Sequence, residues 1–155
     1  MNPEFMREAI RIALEKMRGN HGGPFGAVVV RRGQIVGRGW NRVTSTNDPT
    51  AHAEVSAIRD ACRRLKTFQL DGCELYASCE PCPMCLAAVY WARLQRVYYG
   101  NTRKDAARID FDDDFIYREV ARPIARRKIP MKQLLRTEAL KAFAEWNGKV
   151  DKIPY

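Results

Sequence analysis

Cys79, Cys82 and Cys85 place three of the chain's five cysteines in one seven-residue stretch, beside Pro81 and Pro83. An odd count clustered in this way is unlike a secreted disulfide framework, and clustered thiols in a reducing compartment point to a metal or to catalysis. His52-Ala53-Glu54 lies upstream, just before the apolar row Val55, Ile58, Cys62 and Leu65. Both segments read as helix openings, so a fold that uses them together has to bring two helix starts face to face. Cys82 and Cys85, three apart, project from one side of a helical turn, and His52 completes a His-Cys-Cys face suited to tetrahedral zinc with its fourth position open. Unpaired N–H groups and the positive dipole ends of both helices stabilise thiolates and a developing negative charge.

Zinc lowers the pKa of a bound water to about 7, and a carboxylate beside it can carry the proton to a ring nitrogen and then to a departing amine. Glu54 is the candidate, because two residues from His52 is about half a helical turn, within reach of the water without being a ligand. The H-x-E and P-C-x-x-C pair is the pattern of zinc deaminases. An alternative is a closed zinc knot with Cys79 as fourth ligand, which has no use for Glu54. Cys62, in an apolar helical row, and Cys73, at the start of an apolar strand, read as packing residues. His21, in a glycine-rich loop, reads as a solvated turn residue.

The 155 residues allow one domain, and 46% hydrophobic content suffices for a core. Met1 to Glu8 lacks an apolar leader region and no run of about 18 apolar residues occurs, so neither a secretory signal nor a spanning helix is expected. The cytoplasm is the expected compartment. A net charge of +9 raises the prior for phosphate-bearing partners, but the charges are spread along the chain and suit a solvated surface.

Met6, Ala9, Ile10, Ala13 and Met17 behind Pro3 predict an opening helix, stopped at Gly19. Phe25 to Val30 and Ile35 to Trp40, joined through Arg32-Gly33, predict a hairpin. Asn41 to Thr50 reads as a loop, with a helix from about His52, a buried strand over Cys73 to Ala77, a helix from about Cys82 to Ala92 and a short strand over Arg96 to Tyr99. Ile129 to Leu135 reads as a strand or the approach to a helix, and Thr137 as the N-cap of a terminal helix ending near Asn147. Strands alternating with helices argue for an α/β sandwich with helices on both faces of a mixed sheet.

The chain resembles the cytidine-deaminase-like superfamily, and within it most closely the bacterial guanine deaminases. The resemblance runs through Gly22-Gly23-Pro24-Phe25-Gly26-Ala27-Val28, Asn41, Asn47 to Glu54, Ser78 to Cys85 and Tyr90-Trp91-Ala92-Arg93. Trp91, the stretch Phe111 to Tyr117 and Tyr155 carry the likeness to the guanine deaminase branch. It implies a three-layer α/β/α sandwich around a mixed five-stranded sheet, one Zn2+ per chain on His52, Cys82 and Cys85, and conversion of guanine to xanthine and ammonia. It further implies that Phe25 and Trp91 pack on the purine, that Asn41 and the Ala53 N–H bind it, that Asp113 recognises the base and assists proton transfer, and that Tyr155 closes the pocket. Ordinary core packing for the aromatics and a solvated acidic loop for Asp113 are the competing readings.

Members of that branch resemble domain-swapped homodimers, so residues 1–155 form one domain whose segment from about 137 to 155 is expected to be exchanged between copies. Glu145 in this segment reads as a solvated helix residue rather than a second pocket acid. The tRNA adenosine deaminases share the zinc motif and would use the basic charge on phosphates. They and a non-catalytic zinc-stabilised binding module are the alternative functions, with nucleic acid and membrane not the expected partners.

Overall fold

The computed structural model describes residues 1–154, and Tyr155 lies outside them. Helix α1 (Pro3–Arg18) begins where the Asn2 side chain accepts the Glu4 N–H at 3.0 Å and Pro3 takes a first-turn position. Gly19 closes it. The expected hairpin forms as β1 (Gly26–Arg31) and β2 (Gln34–Trp40), antiparallel, with Arg32 and Gly33 both at positive φ (49° and 75°), as a tight two-residue turn requires. A short helix, α2 (Val43–Thr46), interrupts the stretch read as loop. Then follow α3 (Ala53–Leu65), β3 (Cys73–Cys79), α4 (Pro83–Trp91), β4 (Arg96–Asn101) and α5 (Arg103–Ala107).

The sheet order is β2-β1-β3-β4, with β1 antiparallel to β2 and β3, and β3 parallel to β4. Therefore β2, β3 and β4 run the same way, and the segments that leave them for α3, α4 and α5 emerge at one edge of the sheet. In open sheets this carboxyl edge is where ligands bind.

Alternation along the strands builds two cores. Val28, Val30 and Tyr76 face α1, where Ile12, Phe5 and Met6 cover them. Ala27, Val29, Leu75 and Ala77 face the other way, against Ala53, Ala57 and Ala61 of α3 and Val89 of α4. This is the expected three-layer α/β/α sandwich.

Two glycines in β2 set the distance between α3 and the sheet. A Cβ at Gly39 would lie 2.2 Å from the Ala53 carbonyl oxygen and 2.3 Å from the Ala57 nitrogen, and one at Gly37 would lie 2.5 Å from the Ala57 oxygen. The alanine stripe of α3, recurring every fourth residue, rests directly on strand backbone at these points.

The sheet has four strands rather than five. Residues 129–135 form no strand, since Pro130 has no N–H for a ladder and Leu135 takes a positive φ of 51° to enter α7 (Arg136–Gly148). Leu135, not Thr137, is the N-cap, and Thr137 lies inside the first turn. Helix α6 (Asp114–Ala121) and a 3-10 turn at Ile124–Arg126 occupy a region that the sequence left unassigned.

The chain divides into two compact units, Met1–Asp114 and Phe115–Tyr155. No described residue of the second unit is buried, and Val120, Ile129, Leu134 and Phe143 are 61%, 77%, 81% and 73% exposed. Among the described residues no helix is long and apolar enough to cross a membrane.

Gly39→Ala should force α3 off the sheet and lower unfolding free energy by about 1–3 kcal/mol in a urea titration, the usual range for overpacking. Gly148→Ala, which meets open space at an ordinary φ, should be neutral or slightly stabilising in the same titration.

Candidate metal centre and adjoining cavity

The loop into α3 is set by its own polar side chains. Asp48 Oδ1 accepts the Thr50 N–H at 2.8 Å and the Thr50 hydroxyl at 2.7 Å, after Asn47 has turned the chain at φ 51°. The Arg42 N–H donates to the Ala51 carbonyl at 2.8 Å, and His52 follows as the N-cap of α3 in extended conformation. On the other side β3 runs into Glu80-Pro81, Cys82 is the N-cap of α4, and Pro83 occupies the first turn.

The two caps meet. His52 Nδ1 lies 3.5 Å from both Cys82 Sγ and Cys85 Sγ, and the three ligand atoms all fall within 4.8 Å of one another. Tetrahedral zinc, with bonds of about 2.3 Å to sulfur and 2.0–2.1 Å to nitrogen, needs donor separations of roughly 3.5–3.8 Å, so the trio fits the ion. Cys79 is turned away: its thiol points to the Thr102 carbonyl at 3.7 Å, and burial pushes it up to about 11, opposite to what a thiolate ligand needs. That orientation favours an open site over the closed knot.

The Cys85 thiol donates to Cys82, the main reason the Cys82 thiol is lowered to about 4, with His52 acting in the same direction. Cys85 is raised for the same reason, and the hydrogen bond to Cys82 raises His52.

Glu54, only 7% exposed, brings Oε2 to 3.4 Å from Cys85 Sγ without joining the ligand group. Burial pushes its carboxyl up to about 7, where one group can both accept and donate a proton near neutrality.

A cavity of about 660 Å³ opens beside the trio. Phe25, Asn41, Ala53, Glu54 and Asp113 line it together with His52 and Cys82. Asn41 is buried, and its Oδ1 accepts the N–H groups of Gly23 (3.3 Å) and Val43 (3.2 Å), so its NH₂ end is what it offers the cavity. Gly22, at φ 147°, lies so close that a Cβ would come 1.9 Å from the Asn41 carbonyl oxygen. Asp113 is raised by partial burial and by the Cys82 charge, while Arg103 pulls it back.

Trp91 is not brought to this cavity. It closes α4 nine residues after Cys82, about 13 Å along the helix, and is 70% exposed. Tyr155 lies outside the described residues. Glu145 is exposed on α7.

Sequence reading missed Glu80, Arg103 and the placement of Phe111 as cavity wall. Phe111 stands edge-on to Phe25 with ring centroids 4.9 Å apart. The signal was the capping box at α5, where Thr102 and Asp105 satisfy each other's backbone N–H and mark a return toward the site.

The family model of the cytidine and deoxycytidylate deaminase zinc-binding region matches residues 1–101. A guanine deaminase of Bacillus subtilis (strain 168) is 51% identical over the whole of both chains. The crystal structure of guanine deaminase from Bacillus subtilis superposes with a TM-score of 0.97, covering 100% of this chain and 99% of that one. A guanine deaminase structure from Nitrosomonas europaea is 31% identical at a TM-score of 0.68, over 94% of this chain and 84% of that one. A tRNA-specific adenosine deaminase of Aquifex aeolicus is 47% identical over 81 residues, 52% of this chain and 54% of the relative.

Metal analysis should find roughly one zinc per chain in the parent, lose it in Cys82→Ala and in Cys85→Ala, and keep it in Cys79→Ala and Cys62→Ala. Zinc loss on Cys79→Ala alone would restore the closed knot.

Proposed function

We propose that this chain, which belongs to the cytidine and deoxycytidylate deaminase zinc-binding family, hydrolyses guanine to xanthine and ammonia. The observation that carries the substrate is the likeness to a guanine deaminase over the full length of both chains. The family model ends at residue 101, so the motif shared with tRNA deaminases leaves the substrate open; Phe111 and Asp113 lie beyond it and wall the same cavity.

His52, Cys82 and Cys85 would hold the zinc, whose Lewis acidity would make water a nucleophile at neutral pH. Phe25 and Phe111 form an aromatic wall for the purine face. The Asn41 NH₂ and the Ala53 N–H, one of the unpaired donors of the first turn of α3, bind acceptors on the base. Asp113 accepts N–H groups from its edge and assists proton transfer. Glu54 takes a proton from the attacking water as its oxygen bonds to the amino-bearing carbon and delivers it to the ring nitrogen; the proton left on that oxygen then passes through Glu54 to the amino group, whose C–N bond breaks to release ammonia.

The protein is further proposed to be a cytoplasmic homodimer that exchanges its C-terminal segment, about 137–155. Five free cysteines suit a reducing compartment. A unit with none of its described residues buried has no core of its own, and a second copy of this chain would cover its apolar side chains. In that assembly Tyr155 closes the partner's pocket, and the exposed Tyr90 and Trp91 of α4 are available to the same interface.

Ammonia release assayed across guanine, cytosine, adenosine and tRNA should single out guanine; turnover of tRNA with steeply salt-dependent binding would promote the RNA-editing reading. Glu54→Gln should keep zinc and lower turnover by roughly 10²–10⁴. Asp113→Asn should chiefly raise KM for guanine.

Deleting Lys152 to Tyr155 should weaken guanine use with zinc retained. Mixing that truncation with a Cys82→Ala subunit should restore one complete site per heterodimer. Unchanged kinetics in the truncation would remove the role in closing the pocket, and inactive heterodimers of verified composition would count against exchange.

A further inference from the structure

Ser78-Cys79-Glu80, just before the zinc cysteines, has no part in the chemistry above, yet each of its side chains reaches toward a wall of the cavity. Ser78 Oγ accepts the Gly26 N–H at 3.0 Å, beside Phe25, and Cys79 points to the Thr102 carbonyl. Glu80 makes two contacts with the opposite wall: its N–H donates to the Asn101 carbonyl at 2.8 Å, and its Oε2 accepts the Arg103 N–H at 3.0 Å.

Arg103 is the first residue of α5, a helix of five residues. So short a helix has little stability of its own and depends on what satisfies its first N–H groups. The Thr102–Asp105 box satisfies the flanking pair, at 2.9 Å and 3.3 Å, and the Glu80 carboxylate, from outside the helix, accepts the Arg103 N–H. From α5 the path to the substrate is short. The Ala106 carbonyl accepts the Phe111 N–H at 3.1 Å, Phe111 packs edge-on against Phe25, and Asp113 follows two residues later. At its other end Glu80 is separated from the ligand Cys82 by Pro81 alone, whose ring holds φ near −65°.

We infer that Glu80 is a positioning residue for the deamination: by holding the start of α5 it sets where Phe111 and Asp113 stand relative to the metal ligands. The inference rests on the proposed role of Asp113 in binding the base. It requires an acceptor at position 80 rather than a charge, and a donor at the backbone of position 103.

The test is a double-mutant cycle on purified, zinc-loaded full-length protein, read as kcat and KM for guanine, metal content and thermal midpoint. Glu80→Ala should lower kcat/KM roughly 10- to 100-fold, chiefly through KM and with zinc retained, as expected when a supporting contact lets a binding group drift. In an Asp113→Asn background the same substitution should cost less than about threefold, because its effect passes through Asp113. Glu80→Gln keeps an acceptor and should stay within about threefold of the parent.

Arg103→Pro deletes the donor at a first-turn position where proline fits, after a Thr102 already extended at ψ 164°. It should reproduce the KM increase beyond that of Arg103→Ala, and it decides the matter alone if Glu80→Ala does not fold. Additive losses in the cycle, zinc lost in step with activity, or Glu80→Gln as damaging as Glu80→Ala would each overturn the inference, as would an unaltered Glu80→Ala. If the parent ignores guanine but deaminates another base, the substrate reading fails by itself, and the cycle run on that base still decides the coupling. No turnover of any base overturns both.

Discussion

The contact between the alanine stripe of α3 and the bare backbone of β2 is the reference for the rest of the molecule. Gly37 and Gly39 leave no room for a side chain between strand and helix, so the helix cannot slide or lift without breaking the contact. Its first turn, with His52 at the cap and Glu54 two residues on, is therefore placed on the sheet. Because β2 and β3 both run parallel to β4, the loop leaving β3 emerges at the same edge and delivers Cys82 and Cys85 to His52. Packing of small residues thus sets a metal geometry that the ligands could not set by themselves.

The chemistry follows from unequal environments around that point. Hydrogen-bond donors lower the Cys82 thiol, whereas burial pushes Glu54, a few ångströms away, toward the protonated form. A site that favours the thiolate at one ligand and keeps its carboxyl near neutrality assigns metal binding and proton movement to different side chains. Cys79, although it belongs to the same cysteine cluster, is excluded from both tasks by turning toward Thr102.

The family zinc chemistry needs only the edge formed by β2 and β3. A further wall of the cavity is added by the chain leaving β4, through α5 and the turn at Asp110, which has φ 67°. The metal ligands thus sit at the ends of packed elements, and this part of the cavity wall lies on a segment held by caps and a few hydrogen bonds.

Much of this was legible in the residues. The spacing of His52, Glu54, Cys82 and Cys85 is local chemistry on two helix starts, and the hairpin turn and the caps follow from single-residue conformational preferences. The alternation of strands with helices along the chain pointed to helices on both faces of the sheet. What the sequence left open depends on distant partners. The strand reading over residues 129–135 gave way because Pro130 lacks a donor and Leu135 turns the chain, and α5 was missed because five residues carry too little periodicity. Whether Cys79 or the cavity receives the fourth metal position, and which way Trp91 faces, are set by where a strand ends and how far a helix runs. The sequence determined which residues could hold zinc and move protons; only the tertiary structure decided which of them share one cavity, because that depends on strand direction and on the closeness of a helix to two glycines.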